Sequence, residues 1–207
     1  MKIYTYFTTI PSMSLENEAK LILLWSERWR AAGFEPVVLN EYIARKHPYF
    51  DEFDAAVQKM PTTNTKKYEA ACYHRWLAMT QVGGGYLSDY DVAPYGFKDE
   101  LKPEEQGRLT CFTHNAVPCL VHAPAEKFLE QCQWFVANAD YNATHLSDMY
   151  LLQGRVAKEP DAVLLKDVVK EYTEAGWETA KAVHYANSRM TPNKKTPRHA
   201  HIPVLRT

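Results

Sequence analysis

Two short runs rich in β-branched and aromatic residues, Ile3 to Thr8 and Phe34 to Leu39, stand on either side of a helical stripe. Between them Leu15, Ala19, Ile22 and Trp29 recur at helical spacing, Ser14 supplies an N-cap and Gly33 stands where a C-terminal cap belongs. The spacing predicts a helix from Leu15 to about Ala32. Strand, helix, strand closes as a right-handed βαβ unit, because a twisted strand feeding a right-handed helix packs back onto the sheet only that way. This opening commits the chain to the α/β class, and its 207 residues suit one domain with room for a sizeable core.

The remaining segments extend that pattern. Glu41 to Met60 carries helical fragments broken at Pro48, and Pro61-Thr62-Thr63-Asn64-Thr65 is a polar loop. From Tyr68 the stripe Tyr68, Cys72, Trp76 and Met79 predicts a helix that Gly83 terminates. A short apolar strand follows, and beyond a surface excursion from Lys98 to Gly107 two further runs, Leu109–Phe112 and Val117–His122, read as an antiparallel pair. Phe128, Cys132, Phe135 and Val136 mark another helix, a shorter one passes through Leu152, Val163 to Val169 is apolar, and Val183-His184-Tyr185 reads as a last strand. The expected fold is one α/β domain over residues 1–190, with a mixed, mostly parallel central sheet flanked by helices. Residues 191–207 form a basic tail with Lys194, Lys195 and Arg198.

The stretch with most chemistry is Gly83-Gly84-Gly85-Tyr86-Leu87-Ser88-Asp89-Tyr90-Asp91-Val92. In an extended segment residues i and i+2 point the same way, so Asp89 and Asp91 can converge on one ligand where the strand stops. Two convergent carboxylates with nothing basic next to them in the sequence need a proton or a cation, and a hard divalent metal holding a diphosphate answers that need. A solvated Asp-Tyr-Asp turn is the plainer alternative.

Lysine plus arginine (24) nearly balances aspartate plus glutamate (25), so no overall field recruits nucleic acid or an anionic membrane. Cys72, Cys111, Cys119 and Cys132 lack zinc-ligand spacing and read as free thiols. The first residues have too short an apolar run for a signal peptide, and no segment approaches the ~20 apolar residues of a membrane span. The expectation is a soluble, cytoplasmic protein.

Arg75 on a helix, followed by Gly84-Gly85-Tyr86-Leu87-Ser88-Asp89-Tyr90-Asp91-Val92, resembles the helix-Gly-Gly-strand-DXD signature of GT-A glycosyltransferases. The nearest type is the family named for a sugar-binding region containing DXD, which includes α-mannosyltransferases. The chain departs from that family at Ala71 and Cys72, where a Ser-Asp pair is usual, and in one extra residue between Arg75 and the glycine pair.

The resemblance implies a metal-dependent transferase that moves a sugar from a UDP- or GDP-sugar to a glycan, protein or small-molecule acceptor with retention, using Mn²⁺ or Mg²⁺. It places Asp91 on the metal, Asp89 on the ribose or on the metal through water, and Arg75 at the donor. It offers His184 as a third metal ligand, against a core or surface histidine. It offers Asp148 as the acidic group near the reacting carbon, against a helix cap filled by Ser147 or Asp148. Thr8 and Thr9, after the first strand, are candidates for the nucleotide base, or else hydroxyls capping the next helix. Lys194, Lys195 and Arg198 would close over the diphosphate, or be a solvated terminus. Paired carboxylates serve a nucleotidyltransferase or phosphoesterase equally well, and a nucleotide-sugar-binding module without turnover is a third reading.

Overall fold

The opening unit forms as the spacing predicts. Strand β1 (Lys2–Tyr6) and strand β2 (Glu35–Leu39) pair in parallel, with Lys2 opposite Glu35 and Tyr6 opposite Leu39, and helix α1 (Leu15–Ala31) crosses between them. Ser14 caps α1 by accepting from the Asn17 amide at 3.4 Å. The computed structural model describes residues 1–11, 13–186, 198–200 and 202.

Helices α2 (Glu41–Ala44) and α3 (Phe50–Lys59) flank Pro48, and α4 (Lys66–Gln81) starts at the Thr65 cap and delivers the chain to β3 (Gly84–Ser88). Gly83, at φ 93°, makes the left-handed exit from α4 that other residues adopt at a cost. Then follow β4 (Val92–Pro94), β5 (Leu109–Cys111), β6 (Leu120–Pro124), α5 (Ala125–Ala137), α6 (Asp148–Lys158), β7 (Val163–Leu165), β8 (Val169–Glu171) and β9 (Ala182–His184).

The main sheet has six strands in the order β2-β1-β3-β6-β5-β7. Pairs β1/β2, β1/β3 and β5/β7 are parallel, and β6 runs antiparallel to both β3 and β5. Side chains alternate between two buried faces, as a doubly covered sheet requires. Ile3 and Tyr86 meet Trp25 and Trp29 of α1 on one face, while Tyr4, Tyr6 and Leu87 join Phe53, Tyr73 and Trp76 of α3 and α4 on the other.

The sequence does not foreshadow a second, three-stranded sheet in the order β4-β9-β8. The apolar run Val163 to Val169 splits between the two sheets, β7 joining the main one and β8 the small one. Helix α6 continues past Leu152 to Lys158. All four cysteines are free, and among the described residues no helix is long and apolar enough to cross a membrane.

Candidate active site

Asp89 and Asp91 lie at the carboxyl end of β3, where open α/β sheets gather ligands. They converge through a turn rather than along an extended strand: the Val92 amide donates to the Asp89 carbonyl at 3.1 Å and folds the segment between β3 and β4. The turn is clamped from three sides. The Asp89 amide donates to the Cys119 carbonyl at 2.7 Å, and the Tyr185 amide donates to the Asp91 carbonyl at 2.9 Å. From α1, Trp25 Nε1 donates to Ser88 Oγ and Trp29 Nε1 to the Val92 carbonyl, each at 3.2 Å. Indole burial thus fixes the carboxylates as well as the core.

The small sheet supplies the histidine. Antiparallel pairing of β4 with β9 sets His184 opposite Val92, one residue beyond Asp91. Its Nε2 lies 3.3 Å from Asp91 Oδ1 and 3.9 Å from Asp89 Oδ2. Parallel pairing of β8 with β9 sets Glu171 opposite His184, and Glu171 Oε1 accepts from His184 Nδ1 at 2.7 Å. That bond turns Nε2 towards the two aspartates.

One ligand atom each from Asp89, Asp91 and His184 lies within 4.8 Å of the others. Two carboxylate oxygens and one imidazole nitrogen are a donor set that could hold a hard-to-borderline divalent ion. Burial pushes the Asp89 carboxyl up to about 6, with Arg75 pulling it down and Asp91 pushing it further up. Burial acts in the same sense on Asp91, but the neighbouring His184 and Arg198 outweigh it and hold that carboxyl at about 2.

Because Glu171 orients the imidazole, Glu171→Gln is expected to weaken Mn²⁺ binding by about tenfold while leaving the fold intact. A Mn²⁺ titration followed by electron paramagnetic resonance checks this.

Arg75 on α4 ties the acid pair to the far wall. It donates to Asp148 Oδ2 from Nε at 3.1 Å and from Nη2 at 2.6 Å, and it forms an ion pair with Asp89. Trp76 Nε1 adds a third bond to Asp148 Oδ2 at 2.9 Å. Asp148 opens α6, and its neighbour Ser147 is the cap, accepting from the Tyr150 amide at 3.2 Å. Arg198 Nη1 donates to Asp91 Oδ2 at 2.5 Å.

These groups line a cleft of about 1110 Å³, whose walls also carry Thr8 and Tyr68. Thr8, Arg75, Asp89, Asp91, Asp148 and His184 are therefore brought to one cavity. Thr9 is exposed and is not part of its wall, and Lys194 and Lys195 lie outside the described residues. Sequence reasoning missed Glu171 and the indole of Trp76. A glutamate in one short strand that meets a histidine in the next carries no local signature, because the meeting depends on their register.

A family model described as a domain of unknown function (DUF8765) matches residues 1–103. No curated protein matches the sequence. Among solved structures, the chain is similar to mouse xyloside xylosyltransferase 1 in its apo form, with a TM-score of 0.55 at 12% identity, over 92% of this chain and 99% of that one. It is also similar to a glycosyltransferase involved in glycosylation of the major capsid of PBCV-1, with a TM-score of 0.52 at 11% identity, over 97% of this chain and 98% of that one. The fold is thus the GT-A type, a mixed and mostly parallel central sheet flanked by helices.

Proposed function

We propose that this protein is a metal-dependent glycosyltransferase that transfers a sugar, with retention, from a UDP- or GDP-sugar to a glycan, protein or small-molecule acceptor. The observation that carries the reading is the convergence of Asp89, Asp91 and His184 within 4.8 Å on the wall of a cleft large enough for a nucleotide sugar. The two glycosyltransferases with this fold add support from a different direction.

In this reading Asp91 and His184 hold a Mn²⁺ or Mg²⁺ ion directly, and Asp89 contacts it through water or contacts the ribose. When bound, the ion offsets the negative charge that gathers on the diphosphate as the glycosidic bond breaks. Thr8, two residues beyond β1 and on the cleft wall, would contact the base. Arg75 positions Asp89 and Asp148 together and screens their mutual repulsion. Asp148 has one oxygen held by Arg75 and Trp76, and its other oxygen takes no hydrogen bond among the described residues. In this reading that oxygen meets positive charge developing at the sugar, the demand met by carboxylates in glycoside cleavage. Lys194 and Lys195 would add positive charge at the diphosphate.

The test is incubation with a panel of UDP- and GDP-sugars in Mn²⁺ or in EDTA. Release of nucleoside diphosphate from one donor, lost in EDTA, is the expected outcome. Cleavage of plain nucleoside triphosphates or phosphate esters without turnover of any sugar donor would instead assign the acid pair to nucleotidyl transfer or phosphoester hydrolysis. Donor binding without turnover would make the protein a binding module.

A further inference from the structure

Arg198 opens a short 3₁₀ turn (Arg198–Ala200) that docks on the body at two points. Two residues beyond that turn, Ile202 is buried in an apolar cluster with Leu21, Ala93, Val183 and Tyr185. Arg198 itself lies 5.5 Å from the centre of the Tyr90 ring and spans two acidic residues. Its Nη2 donates to Glu18 Oε2 of α1 at 2.9 Å, and its Nη1 donates to Asp91 Oδ2 at 2.5 Å.

The other oxygen of Asp91 faces His184 Nε2 at 3.3 Å. One oxygen of the carboxylate assigned to the metal is therefore already paired with a guanidinium, and the other faces the imidazole. A divalent ion arriving there alone would share Asp91 with a guanidinium in a buried, weakly screened setting, and like charges so close oppose its binding. A diphosphate entering with the ion supplies the missing negative charge, and the planar guanidinium fork suits phosphate oxygens well. Arg198 lines the same cleft, and Glu18 gives it an anchor that does not depend on Asp91.

Building on the cation-site reading, we infer that Arg198 is a resident counter-ion for Asp91 that is handed over to the donor diphosphate. In the donor-free protein it neutralises Asp91, and when ion and nucleotide enter together it becomes a phosphate-binding cation. The protein then binds the divalent ion weakly alone and tightly only with a nucleoside diphosphate.

The experiment is a Mn²⁺ titration of the full chain as wild type, Arg198→Gln and Arg198→Lys, with and without UDP or GDP. Arg198→Gln is expected to bind Mn²⁺ alone about tenfold more tightly than wild type, the scale on which partners of metal ligands act. It should bind the Mn²⁺–nucleotide pair about tenfold more weakly. Arg198→Lys keeps the charge and should match wild type for Mn²⁺ alone. If Arg198→Gln gains no Mn²⁺ affinity, or if the lysine variant gains as much, the counter-ion role is wrong. Wild type binding Mn²⁺ equally well with and without nucleotide overturns the handover while leaving the cation site standing. Folded proteins that bind Mn²⁺ under neither condition overturn the cation-site reading, and this inference with it.

Discussion

Asp91→Asn is expected to lower metal-supported donor turnover by about 10³-fold, because the variant keeps the shape of the site and removes the charge that holds the ion. The backbone of residue 91 still accepts from the Tyr185 amide, so the turn between β3 and β4 keeps its clamp. Asp91 is the member of the pair whose two oxygens face His184 and Arg198, whereas Asp89 is shared with Arg75. Asp89→Asn should therefore be the milder change. Single-turnover release of UDP or GDP at saturating Mn²⁺ measures both. Full turnover by Asp91→Asn would remove the acid pair from the chemistry.

Gly84→Ala should be the most destabilising small substitution in the sheet. Gly84 sits in β3 at φ +85°, and a Cβ there would lie 2.5 Å from the Ala123 carbonyl oxygen and 2.7 Å from the Ala125 nitrogen. Both obstacles are backbone at the junction of β6 and α5, so neither can rotate away. A non-glycine residue in such a conformation costs roughly 1 kcal/mol or more, and forced overlap adds about 1–3 kcal/mol. The expected loss is about 3 kcal/mol, read as a lowered urea midpoint. Gly107→Ala has open space around it and an unstrained backbone, so it serves as the control and should leave the midpoint nearly unchanged. Equal midpoints for the two variants would mean that β3 and β6 can separate more easily than their pairing suggests.

The parts of the molecule written in neighbouring residues were legible in the sequence. Ser14 and Gly33 bound α1, Pro48 separates α2 from α3, and the glycines after α4 announce β3 and the acid pair at its end. The turn at Asp89–Asp91 shows the limit of strand logic, since a polar Asp-Tyr-Asp segment between two buried strands can fold back as readily as it can extend. His184 was legible as a histidine in a late strand-like run, but what makes it useful was not. Strands of three residues, such as β4, β8 and β9, are too short for alternation to set their register, and register is what aligns His184 with Val92 and Glu171. Longer-range partnerships are more remote still. Arg75 meets Asp148 across 73 positions, and Arg198 meets Glu18 across 180. Such contacts follow from how the layers close, and no local pattern encodes them.

A divalent ion held between Asp91 and His184 is the centre of the proposed chemistry, and anomalous diffraction detects such an ion. Crystals soaked with Mn²⁺ and UDP or GDP, measured at the manganese edge, should give one anomalous peak within about 2.0–2.4 Å of Asp91 and His184 Nε2, with phosphate oxygens completing its shell. A nucleotide bound in the cleft with no anomalous peak beside Asp91, or with manganese held elsewhere, would contradict it.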